Sequence, residues 1–555
     1  MKMRDSIVSC DVLVVGGGIG GLEAAAAAAK SGARTVVAEK ANVRRSGCGA
    51  NGNDHFLCYI PGVHESLDRA VREVGNTLDG GPWVDQPLLR VLLEHTFPVV
   101  QRWESLGINM RPTGEYHFEG HSVPGQERYH LKFDGRKQKQ ALSKYAASSG
   151  AVIMNRVVIS ELLVQDGRVA GAIGVDINEE EPEMVVFQAK SVVVTSGMAM
   201  RLYPTFNPAY LFNVAGCPAN CGSGHALAWR AGAKLVNIDI PNCHAGPKYF
   251  QRGGKGTWIG ISCDIHGDPV TPYVGKPSRE LGDVTADVWP SVYRDKMKDG
   301  TGPVYMNCTA LSEEDMAYMR EAFKSEGIDS IFDYLDQNHI SLRDEMVEFG
   351  TFNFDLNQKG IQIDEHGASS LPGLYAAGNV VGNVKGNLAG AAVFGELSGT
   401  AAAEYARHTG DCDVSGHPLI AEKRALYEGI MNREHGSHWR DANTLLQQIM
   451  EEYVGSTHVR SENLFRAGLK YLNDLRNRTR SELKAENAHE LMRCLEVLDL
   501  IDLGEAVALA GRNRKESREL HQRVDYPYTD LTLNGKFMTI WKSEDGVNFE
   551  YRPRR

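Results

Sequence analysis

The residues best placed to do chemistry lie near the start of the chain, where Gly16-Gly-Gly-Ile-Gly-Gly21 supplies the spacing Gly16-x-Gly18-x-x-Gly21. In that pattern Gly16 permits a tight turn, Gly18 lets backbone approach a phosphate, and Gly21 lets a helix pack on a strand. Ile19 and Gly20 complete the turn and open the helix, whose free amides and positive dipole end attract a pyrophosphate. Glu39 ends the next apolar run, where its carboxylate can accept from the ribose hydroxyls of an adenosine and disfavours a 2′-phosphate. FAD and NAD both fit these residues; NADP does not.

Such a turn needs a strand before it and a helix after it. The β-formers Val12, Leu13, Val14 and Val15 feed the glycines, and the alanine-rich stretch from Glu23 to Lys30 predicts a helix that stops at Gly32. A second strand returns over Thr35-Val-Val-Ala38. Strand, turn, helix, return strand and acid arrive in the order a βαβ dinucleotide site requires.

The 555 residues are enough for about three or four domains. A net charge of −11, from 60 basic and 71 acidic residues, argues against nucleic acid or an anionic membrane surface as partner. No apolar run approaches the length of a membrane span and no secretory leader is evident, so a cytoplasmic location is expected. The 10 cysteines include no CxxC pair, and Cys217 with Cys221 cannot complete a metal or iron–sulfur site unaided, so no metal centre is predicted.

Further along, Val157–Val164, a turn at Gln165-Asp-Gly167, and Arg168–Asp176 predict a hairpin, and Ser191–Gly197 predicts another strand ending in small residues. Glycine and proline punctuation then replaces regular alternation, with an acidic amphipathic segment at Ser312–Glu326. A short strand before Gly378 and a small-residue helix from Gly390 restore the dinucleotide-binding character. The fold class predicted is α/β: a discontinuous Rossmann-like FAD-binding domain with an inserted α+β capping domain, a C-terminal helical domain and an extended arm. The expected boundaries are 1–240 and 353–410 for the two parts of the FAD-binding domain, 241–352 for the cap, and 411–555 for the helical domain and arm.

The Gly16–Glu39 block, Arg45-Ser-Gly47, Gly302-Pro-Val-Tyr-Met306, Gly373-Leu-Tyr-Ala-Ala-Gly378 and Glu516-Ser-Arg-Glu-Leu-His-Gln-Arg-Val-Asp-Tyr-Pro527 carry a resemblance. The chain resembles the fumarate reductase, succinate dehydrogenase and L-aspartate oxidase flavoprotein superfamily. Met450-Glu-Glu-Tyr-Val454 and His489-Glu-Leu-Met-Arg493 make it most similar to the adenylylsulfate reductase alpha-subunit branch. The resemblance implies FAD, held by Gly16, Gly18, Ile19, Gly20, Gly21, Glu39, Lys40, Arg45, Ser46, Gly47, Val158, Ser196, Gly197, Gly378, Asn379, Asn387 and Ala389.

Departures from the family pattern bear on the substrate. A family histidine register falls on His244, whose unperturbed pKa suits proton transfer. The arginine that donates a proton in fumarate reduction falls at Ser291, a second substrate histidine at Asp355, and the arginine of adenylylsulfate reductases at Gly246. An aspartate facing a dianion is repulsive, so the substrate expected is less anionic, or presents a donor or cation to Asp355. His244, Asp355 and Arg279 are the catalytic candidates; Asn51, Asn53, His55, Lys248 and Trp258 are the substrate candidates. His225 and Arg252 are weaker ones, Cys48 is a candidate redox thiol beside the flavin loop, and His521 with Arg523 read as a structural tie.

The expected function is an FAD-dependent oxidoreductase, the flavoprotein component of a two-component reductase. It would move electrons between a small substrate at flavin N5 and a ferredoxin-like iron–sulfur beta subunit. The expected assembly is therefore a hetero-oligomer. The alternatives are an authentic adenylylsulfate reductase alpha subunit, yielding sulfite and AMP, and a fumarate-reductase-like ene reductase in which Arg279 or Lys248 serves as donor.

Overall fold

A computed structural model describes residues 2–50, 53–76, 83–119, 125–204, 211–212, 214, 216–248, 258–271, 275–279, 291–326, 329–455 and 459–555, with the side chains of 244, 325–326 and 351–354 outside the description. The opening unit is β1 (Arg4–Val15), α1 (Ile19–Lys30) and β2 (Thr35–Glu39). Then come β3 (His55–Leu57), α2 (Leu67–Gly75), α3 (Gln86–Ser105), β4 (His130–Lys132), α4 (Gln138–Ser148) and β5 (Val152–Asn155). A meander of β6 (Val157–Gln165), β7 (Arg168–Asp176) and β8 (Glu183–Val194) follows.

These strands belong to one seven-stranded sheet in which β5-β2-β1-β8-β7-β6 are neighbours in that order. β1 pairs in parallel with β2 and β8, as a βαβ unit demands, while the meander is antiparallel. The run at Ser191 is the second half of a longer strand: the first half of β8 pairs with β7, and Val192–Val194 pair in parallel with β15 (Leu374–Ala376). That return strand joins the two parts of the FAD-binding domain into a single sheet. Buried on both faces, Val12–Val14 and Val192–Val194 read as continuous apolar runs rather than alternating ones.

After β8 come α5 (Ser223–Arg230), β9 (Leu235–Val236), β10 (Asn242–Pro247), β11 (Ile261–Cys263), α6 (Val292–Asp299), β12 (Val304–Asn307), α7 (Glu313–Glu326), α8 (Ser330–Gln337) and β13 (Val347–Asp355). Here β10-β13-β12-β11 form a separate antiparallel sheet. The cap has its own apolar core, in which Trp258 meets Phe323 and Phe349 edge-on, with ring centroids 5.1 Å apart in both pairs.

After β14 (Gly360–Ile361) and β15, helix α9 (Leu388–Arg407) crosses α1. The crossing is close because it is made of small residues: a Cβ on Gly399 would collide with the carbonyl of Ala24. The C-terminal region contains α10 (Pro418–Asn432), α11 (Trp439–Ile449), α12 (Glu462–Glu482) and α13 (Ala488–Asn513), then β16 (Lys536–Ser543) and β17 (Gly546–Pro553). The terminal arm is folded back on its own chain: β16 pairs with β17 and with β9, giving a sheet β14-β9-β16-β17. Arg552 seals it by an ion pair of 2.7 Å to the buried Asp85 at the start of α3. Among the described residues no helix is long and apolar enough to cross a membrane, and no cluster of three or more metal-ligating side chains occurs.

Candidate functional site

The glycine-rich turn joins β1 to α1. Gly16 has φ +96°, a conformation that a side chain strains, and a Cβ on Gly21 would run into the carbonyl of Gly16. Thr195, just beyond β8, directs its hydroxyl to the Gly16 carbonyl at 2.6 Å and to that of Val15 at 3.1 Å. Glu39 is buried, and its two oxygens accept the Gly17 N–H at 2.7 Å and the Ala41 N–H at 2.8 Å. Lone pairs remain on that carboxylate for a ribose. At the α1 N-terminus Gly18 is the N-cap and provides no side-chain acceptor, which leaves the first turn open to an anion.

Arg45 and Ser46 form a turn in which both amides donate to the Asn42 carbonyl at 2.9 Å. Among the described residues, the buried Ser46 hydroxyl has no hydrogen-bond partner. On the far side, Asn387 caps α9 by accepting the Gly390 N–H at 2.9 Å; Ala389 is buried, and Gly378 has φ +77°. Asn379 accepts the Gln358 N–H through its carbonyl at 3.4 Å. An unpartnered buried hydroxyl, an uncapped helix start and a glycine turn without Cβ atoms together fit FAD.

Other predicted cofactor residues are differently engaged. Lys40 places its ammonium 2.8 Å from Glu496 of α13 and 3.3 Å from the Cys221 sulfur, tying the flavin unit to the helical domain. Val158 is buried at the start of β6, close to Arg156, whose N–H donates to the Ala41 carbonyl at 3.0 Å. Ser196 has a buried hydroxyl that a Cβ on Gly224 of α5 would crowd, and Gly197, at φ +80°, lies against the Asn220 side chain.

In the cap sheet, β10 and β13 run antiparallel, with Asn242 opposite Asp355 and His244 opposite Phe352. The two catalytic candidates taken from this pair of strands therefore sit on adjacent strands, out of register with each other and separated by a bulge. The His244 side chain lies outside the described residues. Asp355 is fully buried, and the neighbouring Cys243 thiol is pushed up to about 12 by burial, with Asp355 and Glu519 adding to the shift. Gly246 pairs with Gly350, so the arginine register of the adenylylsulfate branch offers no cation here.

The remaining candidates scatter. Arg279 lies in a cap ion network, 3.1 Å from Glu314 and 3.6 Å from both Glu119 and Asp315, above the Tyr318 ring. Lys248 pairs with Glu348 at 2.5 Å, and Trp258 is a core residue of the cap. His55 meets Asp54 at 3.0 Å; Asp54 binds Lys132 at 2.6 Å, and Lys132 reaches the Tyr318 hydroxyl of the cap at 2.7 Å. Asn53 accepts from Gln138 through its side chain and from the Gly135 N–H through its carbonyl at 3.0 Å. Asn51 and Arg252 lie outside the described residues.

Cys48 accepts the Cys217 N–H at 3.4 Å, and burial pushes its thiol up to about 12, which leaves it protonated and unreactive at neutral pH. His225 is buried, lowered to about 4 by desolvation, and donates through Nε2 to the Lys359 carbonyl at 2.9 Å. His521 is held neutral by burial and by the flanking Arg460 and Arg514; its Nδ1 accepts from Arg460 at 2.6 Å while Nε2 donates to the Arg514 carbonyl at 3.1 Å. Arg523 pairs with Asp525 at 2.6 Å. Arg460 also reaches the Asp239 carbonyl at 2.7 Å, joining this cluster to the turn between β9 and β10 that leads into the cap.

Thr195, Gln138 and Lys139 escape sequence reasoning. The signal for Thr195 is a small polar residue at the end of a strand; Gln138 and Lys139 carry no motif, and their role arises only because α4 packs beside α1.

The FAD binding domain family signature matches residues 11–394, and the fumarate reductase flavoprotein C-terminal signature matches residues 443–555. The corresponding chain of the CoM/CoB fumarate reductase of Methanothermobacter marburgensis is 26% identical, over 95% of this chain and 96% of its own length. Among solved structures, adenylylsulfate reductase from Archaeoglobus fulgidus superposes with a TM-score of 0.84 at 21% identity, covering 100% of this chain and 97% of that one. A quinol fumarate reductase from E. coli gives 0.77 at 20% identity, covering 99% and 97%.

Proposed function

The chain belongs to the FAD binding domain family and carries a fumarate reductase flavoprotein C-terminal region, and from that membership we propose that this FAD-dependent oxidoreductase is the flavoprotein component of a two-component reductase. The partner in this reading is a ferredoxin-like iron–sulfur protein, because the chain has one dinucleotide fingerprint, at Gly16–Gly21, no second one for a nicotinamide donor, and no CxxC pair for a cluster. When bound, FAD supplies electron-pair transfer at N5 of its ring. A cytoplasmic location goes with this reading.

The observation that carries the substrate reading is the β10/β13 pair, which sets His244 and the buried Asp355 on neighbouring strands of the cap sheet. His244 serves as the proton donor or acceptor, and Asp355 binds a hydrogen-bond donor or cation on the substrate. A small, weakly anionic substrate with such a group fits. Simple dicarboxylate reduction is disfavoured because Arg279 and Lys248, the cations that could replace the missing arginine, are both engaged by carboxylates of the cap or its neighbours. Adenylylsulfate reduction is disfavoured by glycine at position 246.

The test is anaerobic reoxidation of the reduced holoprotein. Fumarate and adenylylsulfate are expected to leave the flavin reduced, whereas an unsaturated acid carrying an amino, amide or hydroxyl group is expected to oxidise it. His244→Asn and Asp355→Asn should each slow that reaction by about 10²–10³-fold without loss of flavin. Rapid reoxidation by fumarate or adenylylsulfate would overturn the substrate reading. Isolation from its source without a cysteine-rich companion would overturn the partner reading.

A further inference from the structure

Helix α4 contains a lysine that neither the dinucleotide motif nor the proposed reaction uses. Lys139 is 1% exposed, and its ammonium donates to the carbonyl of Gly17, in the middle of the glycine-rich turn. The N–H of that same glycine donates to Glu39 at 2.7 Å. One residue of the turn is thus held from both ends, by a buried cation and a buried anion. The preceding residue, Gln138, donates to the Gly49 carbonyl at 2.8 Å and to the Asn53 side chain. Two consecutive residues of one helix therefore tie the glycine-rich turn to the loop that follows Arg45-Ser-Gly47.

A lysine is an expensive residue to bury for the sake of one backbone acceptor, which an asparagine or a water could satisfy. What only a cation provides is compensation for charge. Glu39 is buried too, and a dinucleotide brings a diphosphate to the adjoining helix start. We propose that Lys139 is a positioning residue for FAD: it fixes the Gly17 peptide so that the turn's amides face the pyrophosphate, supplies the counter-charge to Glu39 and the diphosphate, and with Gln138 locks the turn to Gly49 and Asn53. The inference rests on FAD binding and is independent of the substrate reading.

The charge has a testable signature. Burial lowers the Lys139 ammonium to about 8 in the chain without FAD, opposed only in part by Glu39. Glu39 on β2 is the charged group that faces it; on the α1 side, Lys30 is turned to the Tyr145 hydroxyl at 2.9 Å. An added diphosphate favours the protonated form, so binding takes up a proton once the free chain begins to lose one.

The experiment is a titration of full-length apoprotein with FAD, read by quenching of flavin fluorescence from about pH 6 to about pH 10. For the unaltered chain the dissociation constant is expected to be flat below about pH 8 and to rise by up to about tenfold per pH unit above it. Lys139→Met should bind about tenfold more weakly at neutral pH and lose the alkaline rise. Lys139→Arg, which keeps its charge at all these pH values, should bind well at neutral pH and also lose the rise. Thermal melting of the apoproteins separates binding from folding, and should Lys139→Met not fold, the arginine variant decides. Unchanged affinity in Lys139→Met, or the same alkaline rise in Lys139→Arg as in the unaltered chain, would overturn the proposal.

Discussion

The flavin cradle and the cap solve their binding problems with different parts of the chain. In the cradle, the groups on offer to a cofactor are mostly backbone: the Gly16 and Gly17 peptides, the α1 start and the α9 start, with Thr195, Glu39 and Lys139 holding main-chain atoms in place. In the cap, side chains of ordinary type are drawn from separate strands, and charged ones such as Arg279 and Lys248 are satisfied by carboxylates of the same chain. Backbone recognition needs glycine at fixed spacing and tolerates little change. Side-chain recognition needs only that suitable residues meet, so it can be rewritten one position at a time while the scaffold stays the same.

That contrast can be broken most directly at Gly21. Gly21→Val is expected to abolish FAD binding outright, since its branched side chain meets the Gly16 carbonyl; the flavin-to-protein ratio after purification checks it. If the variant is yellow, the cradle is more plastic than its geometry says.

Next come His244→Asn and Asp355→Asn, each expected to lower turnover by about 10²–10³-fold with flavin content unchanged. Loss of flavin in either would mean that the cap and cradle are not separable in function.

The buried ion cluster that ties the cradle to the helical domain gives the largest stability effect. Burial alone would raise the Glu496 carboxyl, but Lys40, Arg201 and Arg493 outweigh it and hold the group at about 2. Its stabilisation is therefore complete above the ordinary glutamate range near pH 4.5 and is lost as pH falls toward about 2. Glu496→Gln leaves three cations uncompensated and should cost about 3–5 kcal/mol at neutral pH. Urea midpoints at neutral and acidic pH test both statements, since the difference between the variant and the unaltered chain should shrink in acid.

Glu39→Gln keeps the shape but gives up two charge-assisted bonds to amides, and should weaken FAD binding by about 1–3 kcal/mol, measured by fluorescence titration. The smallest effect is expected at Arg279→Ala, which removes part of a half-exposed ion network: stability should change by about 1 kcal/mol or less and turnover should hold. A large loss of turnover there would restore Arg279 as a donor.

Legibility follows the same division. The βαβ unit, the hairpin at Val157–Asp176 and the return to the flavin sheet at Leu374 are written in local apolar runs and glycines, and the structure has each where those patterns put it. Less of the site is legible. Lys40 lies beside the dinucleotide motif in sequence, yet its partner is Glu496, far away along the chain. His225 reads from sequence as a weak substrate candidate, and burial makes it a neutral donor to a backbone carbonyl. An extended arm is expected at the end of the chain from the sequence, and only the pairing of β16 with β9 shows where it lies.

What the amino-acid order determined alone is a dinucleotide site and the βαβ architecture that holds it, because turn geometry, helix start and strand burial depend on neighbours a few residues apart; FAD rather than NAD follows from the family, not from that local pattern. What the tertiary structure decided is which charges remain for chemistry. Whether a lysine or arginine serves a substrate, a carboxylate of its own chain or a peptide of the glycine turn depends on contacts between residues distant in sequence, and desolvation in the folded interior sets the strength of each.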